Sequence, residues 1–400
     1  MPWKVSDVYD QRVRFVSAAL RGDLSLAALC RAYGISRETG YKWIERYHRS
    51  GWAGLEDASR APHRQARAMA PDVAAAIVAL RRAHPFWGPK KLRAVLEREH
   101  PGAVWPALST IGDLLHREGL IVPRARRRAA HVVTQPFAAA EAPNDLWCID
   151  FKGWFRTRDG QRCDPLTVTD AVSRYLLGCE IVVPNGSEVA QACERLFREH
   201  GLPRAMRMDN GAPFASAAPA GLSRLSIGWV KLGIQLERIE PGSPQQNGRH
   251  ERMHRTLKQE TSQPPAADPA EQQARFDWFR AEFNEQRPHE ALDQTTPASH
   301  YRASPRPYPA KIEEPWYDAD HQVRRVRTDG TIKWRGDYIF LSEALVGETV
   351  GLTEIDEDQW LIRFADLDLG LLSPSRKFHR FTAARPGRRE ANPTGTPSAM

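Results

Sequence analysis

The sequence predicts a multidomain chain: N-terminal all-α helix-turn-helix units, a central α/β mixed sheet and a C-terminal small β-barrel. Three observations lead there. Apolar residues recur at helical spacing in the first part of the chain, β-rich runs alternate with helical stretches from Ala142 onward, and only short strand-like runs follow the proline-rich stretch holding Pro305, Pro307, Pro309 and Pro315. A chain of 400 residues also exceeds what one core usually serves. The expected boundaries are 1–60 for a helix-turn-helix domain, 65–130 for a second helix-turn-helix-like domain with a basic arm, 140–302 for the α/β core, 318–376 for the barrel and 385–400 for a disordered tail.

Val13, Val16 and Leu20 share one helical face, Gly22 ends that helix and Ser25 opens the next. Gly34 supplies a turn and Ser36 caps a third helix, Arg37 to Arg49, which is expected to bury Tyr41 with Ile44 or Tyr47. Its other side offers Arg37, Thr39, Lys42 and Arg46 to a DNA major groove. Residues 51–70 carry no apolar period and read as a linker. The second helical unit holds a stripe of Val73, Ile77 and Leu80, a helix Lys91 to Arg98 with Leu92 and Leu96, and a helix capped by Ser109 with Ile111, Leu114 and Leu115. It ends in Arg124, Arg126, Arg127 and Arg128, a phosphate-binding arm in this reading.

Runs at 146–151, 165–170 and 175–183 predict an antiparallel meander. A helix over 187–199, a strand at 205–208, a helix near 222–232, a strand at 234–239 and a helix from about Gln246 follow, so the order is that of a mixed sheet with helices packed on it. The runs 331–334, 338–341, 348–352 and 359–364 suggest the barrel. Between Asp318 and Asp368 stand 12 acidic and 6 basic residues, a poor surface for gripping DNA alone.

The net charge of +8 is concentrated at the N-terminal end: residues 1–130 carry 23 Lys/Arg against 12 Asp/Glu, the footprint of a polyanion partner. Five scattered cysteines form no C-x-x-C pair and no zinc spacing, which points to reduced thiols. No stretch is long and apolar enough for a membrane span, so a soluble, cytoplasmic protein is expected.

Asp150 lies inside a hydrophobic β-run, Asp209 ends a strand before Asn210-Gly211, and Glu251 sits on a helix whose buried side is Met253 and Leu257. Asn247, Glu251, Arg255 and Lys258 share a different face of that helix. Each acid alone reads equally as an edge residue, a turn residue or half of a surface ion pair.

The runs Leu146-Trp-Cys-Ile-Asp150-Phe-Lys152, Arg207-Met-Asp209-Asn-Gly-Ala-Pro-Phe214 and Pro241-Gly-Ser-Pro-Gln-Gln-Asn247-Gly-Arg-His-Glu251-Arg-Met-His-Arg-Thr-Leu-Lys258 resemble the integrase core of bacterial insertion-sequence transposases and retroviral integrases. Phe283-Asn284-Glu-Gln-Arg287-Pro288-His289 and Thr296-Pro-Ala-Ser-His-Tyr301 resemble the segment closing such cores. His84-Pro-Phe-Trp-Gly-Pro-Lys90-Lys91-Leu92 resembles their second helix-turn-helix module, with Lys90 and Lys91 as DNA contacts.

The resemblance implies an RNase H-like fold and a DDE polynucleotidyl transferase. Asp150, Asp209 and Glu251 would be both catalytic and metal-binding, holding two Mg²⁺ or Mn²⁺ ions, hard cations that prefer oxygen ligands. The activity implied is metal-dependent strand cleavage and strand transfer at the ends of a mobile element, on double-stranded terminal inverted repeats and target DNA, by a dimer or higher homo-oligomer. Asn247, Arg255 and Lys258 would position phosphates or order ligands.

Between Asp209 and Glu251 lie 41 residues, more than is usual in the family. The Ala/Pro/Gly-rich segment 212–221 can absorb the excess as a loose insertion, because lengthening a loop costs little closure entropy. Glu237 and Glu240 are the rival third ligands. Two alternatives are a non-catalytic, DNA-binding transposase relic acting as a regulator, and an RNase H-like nuclease.

Overall fold

The computed structural model describes residues 7–57, 69–121, 140–239 and 248–381. The chain divides into two compact units, Met1–Met69 and Ala70–Met400. Arg124, Arg126, Arg127, Arg128, Glu240, Asn247 and the expected tail 385–400 lie outside the described residues.

The first unit is a bundle of α1 (Val8–Arg21), α2 (Leu26–Ala32) and α3 (Arg37–Ser50). Capping sets the breaks. Gly22 closes α1 at φ 71°, a conformation that disfavours any side chain bearing a Cβ. The hydroxyls of Ser25 and Ser36 then accept the N–H of Ala28 and Thr39. Phe15, Val16, Leu29, Cys30 and Leu55 form the core. Two expectations change here. Tyr41 is 64% exposed, and Trp43 with Ile44 and Tyr47 packs inward in its place. The supposed linker begins as a 3-10 turn, Gly51–Leu55, folded back on α3 with Leu55 fully buried.

The second unit opens with α4 (Pro71–Ala83), α5 (Pro89–Glu99) and α6 (Leu108–Arg117), joined through Ile77, Leu92, Val95, Leu96, Ile111, Leu114 and Leu115. The predicted Ser109 cap is corrected: Ala107 is the cap residue, with no side-chain bond.

Its centre is a five-stranded mixed sheet. The strands are β1 (Leu146–Phe151), β4 (Pro165–Asp170), β5 (Leu176–Ile181), β6 (Ala205–Met208) and β7 (Gln235–Arg238), in the order β5-β4-β1-β6-β7. A small hairpin of β2 (Phe155–Arg156) and β3 (Arg162–Cys163) projects from the meander. β1 pairs antiparallel with β4 and parallel with β6, so the central strand carries the change from meander to crossover connections. On one face α7 (Gly186–His200) and α8 (Arg224–Lys231) cover Trp147, Ile149, Leu166, Val168 and Met206. The approach of α7 is close: a Cβ on Gly178 would meet Leu196 Cδ1 at 2.9 Å. On the other face lie α9 (Gly248–Thr261) and α10 (Pro269–Glu285), which bury Met253, Leu257, Phe276, Phe279 and Phe283 against Leu176 and Cys179.

α10 was not anticipated, and it completes the sheet edge. The Asn284 side chain accepts Leu176 N–H and donates to Leu176 O (2.8 and 3.0 Å), and Gln273 does the same for Ile181 N–H and Cys179 O. Side-chain amides thereby satisfy an edge strand that would otherwise offer unpaired backbone groups.

The C-terminal part is a small β domain in which the expected closed barrel is not found among the described residues. β11 (Thr349–Asp356), β12 (Gln359–Phe364), β13 (Leu367–Leu372), β14 (Phe378–Arg380) and β8 (Gln322–Arg325) form one antiparallel sheet in the order β14-β13-β12-β11-β8. β9 (Thr331–Trp334) and β10 (Asp337–Phe340) pair only with each other, so among the described residues no ladder closes the sheet on itself. The sheet docks on the core. Ala220, Leu222 and Ile227 share a core with Val350, Leu352, Trp360, Ile362 and Phe364, and Lys231 bridges to Glu348 at 2.9 Å. The segment 212–221, expected to be loose, is held here: Ala220 N–H bonds Phe381 O and Arg380 bonds Ala217 O.

α9 and α10 are joined by a buried ion pair. Arg287 contacts Glu260 at 2.8 Å and Glu282 at 3.7 Å, all three side chains being at most 10% exposed. Removing the cation strands two acids away from water. Arg287→Ala is expected to destabilise the protein by about 3–5 kcal/mol, read as a lowered urea midpoint. A change below about 1 kcal/mol, the worth of a surface pair, would refute the structural role.

Candidate active site

Alternation along β1 places Trp147 and Ile149 in the α7/α8 core and turns Leu146, Cys148 and Asp150 to the α9 side. Asp150 is half-buried there. Its carboxyl is raised to about 7, first by burial, then by the negative charge of Asp209, with Glu251 acting in the same direction; a hydrogen bond from Phe151 N–H and the charge of Lys152 oppose them. The three sequence-predicted acids therefore share one electrostatic neighbourhood.

Asp209 follows β6, the strand beside β1, and its Oδ1 accepts Gly211 N–H at 3.1 Å. Across the turn, Asn210 bonds Ile239 O at 2.6 Å, fixing the end of β6 to the end of β7. Burial holds the Arg238 guanidinium below its ordinary value, with Asp209 pulling the other way. Glu251 is exposed on α9, as are Arg255 and Lys258, while Met253 and Leu257 are buried. Lys152 is lowered by burial and by repulsion from Lys258, with Asp150 opposing, so Lys152 lies near both the Asp150 carboxylate and Lys258. The rival Glu237 lies on β7 and is bound by Arg207 at 2.7 Å.

Sequence reasoning overlooked two histidines. His250 and His254, 2% and 7% exposed, face the sheet from α9. Both Nε2 atoms lie 2.6 Å from Thr167 Oγ1, and His250 Nδ1 lies 3.0 Å from Thr169 Oγ1. Thr167 has one proton, which goes to Asp150 O at 3.1 Å. The arrangement that satisfies every contact has both imidazoles donating from Nε2 to Thr167, and Thr169 donating to His250 Nδ1. Burial lowers His250 to about 3; burial, then His250 and Lys152, lowers His254 to about 2. Both rings are neutral. Asp150, His250 and His254 offer donor atoms within 4.8 Å of one another. The i, i+4 spacing of the two histidines, opposite alternating threonines on β4, was the available signal.

In the first unit Arg37 and Lys42 are exposed on α3. Thr39 is spent in the cap, with its hydroxyl 2.9 Å from Ser36 Oγ, and Arg46 donates to Glu56 O at 2.8 Å while lying 4.8 Å over Trp43. In the second unit Lys90 pairs with Glu290 at 2.6 Å and Lys91 donates to Pro288 O. These two therefore link α5 to the segment after α10.

Residues 140–244 and 232–297 match the family described as integrase core domain; residues 11–63 and 39–115 match helix-turn-helix and homeodomain-like families. A Burkholderia multivorans protein, the uncharacterized 31.7 kDa protein of insertion element IS407, is 32% identical over 231 residues, 56% of this chain and 79% of that protein. The chain belongs to the insertion-sequence transposase family. The corresponding 39.2 kDa protein of insertion element IS476 from Xanthomonas euvesicatoria is 30% identical to this transposase, covering 56% of it and 63% of the relative. Among solved structures, the HTLV-2 integrase catalytic core domain in complex with magnesium aligns with 40% of the transposase and 98% of its own chain, at 14% identity and a TM-score of 0.32. No helix among the described residues of the transposase is long and apolar enough to cross a membrane.

Thr167→Val keeps the shape of the buried node while removing its acceptor, leaving imidazole N–H groups unsatisfied at about 1–3 kcal/mol each. The expected result is a lowered thermal midpoint, with Thr167→Ser close to wild type. Equal midpoints for all three proteins would show that the hydroxyl carries no load.

Proposed function

We propose that this transposase cleaves DNA strands at the ends of a mobile element and joins them to target DNA, with Asp150, Asp209 and Glu251 as catalytic metal ligands. The observation that carries the reading is the convergence of Asp150 on β1, Asp209 at the end of the adjacent parallel strand β6 and Glu251 on α9, with the charges of Asp209 and Glu251 both raising the Asp150 carboxyl. Three acids drawn together from β1, the β6 turn and α9 repel one another, and a hard cation among them relieves that repulsion.

The donor set fits Mg²⁺ or Mn²⁺: the carboxylates offer oxygen, while His250 and His254 are already committed to Thr167 and Thr169. Two such ions, when bound, supply activation of an attacking oxygen and stabilisation of a leaving one. The protein's own share is positional. Asp150 is fixed by the central strand, Asp209 by a turn bonded at Gly211 and Asn210, and Glu251 by a helix pinned to β4. Lys152, Arg255 and Lys258 provide cations for the strand's phosphates. Glu237 is the weaker third ligand because Arg207 already neutralises it.

DNA recognition falls to α3, where Arg37 and Lys42 are exposed, with Arg124, Arg126, Arg127 and Arg128 as a phosphate-binding arm. Two element ends must meet for joining, so the working form is a dimer or larger, and the acidic C-terminal sheet serves protein contacts.

The test is oligonucleotide cleavage and joining on cognate end DNA with Mg²⁺ or Mn²⁺. Asp150→Ala, Asp209→Ala and Glu251→Ala are each expected to slow joining by about a thousandfold or more, the equivalent of several kcal/mol, with DNA affinity retained. Normal joining in any of the three removes that residue from the site; binding without joining in the wild type favours the regulator reading. Separately, Arg37→Ala and Lys42→Ala should weaken end binding, and a lost phosphate contact should reduce the salt slope by about one. An unchanged affinity and slope in both would take α3 out of the interface.

A further inference from the structure

Two residues along β1 from Asp150, on the same face of the sheet, Cys148 stands between its cross-strand partners Thr169 and Arg207. These three contribute to the lining of a cavity of about 480 Å³. Its cationic side chains come from separate elements: Lys91 from α5, Arg174 from the β4–β5 turn, Arg252 from α9, Arg207 from β6 and Arg287 from the end of α10. Five cations face two lining acids, Asp170 and Glu290. Asp170 is turned inward, its carboxylate accepting Asn144 N–H at 2.7 Å and both the N–H and hydroxyl of Ser173 at 2.7 and 2.6 Å. Glu290 is held by Lys90.

Neither the carboxylate site nor the helix-turn-helix surface accounts for this convergence. Arg207 is met by Glu237 and Arg287 by Glu260 and Glu282, acids that do not line the cavity, and Arg252 is exposed at its wall. A half-buried cation beside these, such as Lys91, is costly unless an anion meets it. Lys91 displays the cost: burial and the neighbouring Arg287 hold its ammonium down to about 8, although Glu282, Glu260 and Glu290 act the other way. The space is too large for a simple anion and is of the size that admits part of a nucleotide.

We infer that this cavity is a phosphate subsite that takes one backbone phosphodiester of the DNA strand lying along the carboxylates. It rests on the reading of Asp150, Asp209 and Glu251 as the place where that strand is cleaved. Because Lys91 belongs to the second helical domain and Arg252 to the core, the subsite exists only with that domain seated on the core. A phosphate bound there is gripped by both.

The test uses the full chain in EDTA, so that no turnover is required, with end DNA carrying a neutral methylphosphonate at one position at a time. Wild-type protein should show a phosphate whose neutralisation weakens binding by about tenfold. In Arg252→Ala and in Lys91→Gln the same substitution should have little further effect, whereas Lys91→Arg should restore it. Methylphosphonate profiles that are identical in wild type and both loss variants, with unchanged unfolding midpoints, overturn the subsite. A free-anion site is the other outcome that overturns it: inorganic phosphate would then raise the wild-type thermal midpoint but not that of Lys91→Gln, with no coupling to any DNA position. Failure of strand joining in the metal-containing assay would sink the cleavage reading while leaving these binding data interpretable.

Discussion

One hydroxyl holds the site together. Thr167 Oγ1 meets the Asp150 carbonyl and both α9 imidazoles. Any charge on those rings would be buried against the sheet, and burial keeps them neutral, which leaves His250 Nδ1 free to accept from Thr169. The consequence runs outward along the helix. With His250 and His254 facing the sheet, the spacing of α9 turns Glu251, Arg255 and Lys258 away from it, on the side where Asp150 emerges. The same helix is braced from behind by Arg287 and the phenylalanines of α10. A rigid backing under a polar rim is what a positioned acid requires.

Much of this was legible in the sequence because strong local rules governed it. Gly22, Ser25, Gly34 and Ser36 mark the first helices through backbone preference and capping, which act over a few residues. The β-runs around Asp150 and 165–170 are apolar enough to be strands in any context, and Met253 with Leu257 sets the inner face of α9. What escaped depended on contacts made at a distance. His250 and His254 are polar by type and buried only because threonines wait on β4. Tyr41 and Trp43 are both aromatic, and only the bundle decides which turns inward. α10 carries Phe276, Phe279 and Phe283 on one face but Trp278 in solvent, which blurs its period. The strand-like runs after Trp316 were read correctly as strands, but whether they close is a matter of pairing order, which the sequence does not encode locally.

Charge shows the same division. The basic excess in the first third of the chain suggested a single polyanion-facing surface, yet its members have different employments. Arg37 and Lys42 stand exposed, Arg46 is tied to Glu56 O, and Lys90 and Lys91 fasten the second helical domain to residues that follow α10. Composition reports how much charge there is, whereas geometry decides whether a given cation faces solvent or a neighbouring carbonyl.

The stretch after Asp209 has a consequence beyond its length. Residues 212–222 leave the turn that holds the acid and end buried in the apolar core of the C-terminal sheet, anchored by Ala220 and Leu222. The acid's turn and the sheet thus share one short, packed strut instead of a slack tether. A displacement of the C-terminal sheet is therefore felt at the turn that holds Asp209, although the two are built from distant parts of the sequence.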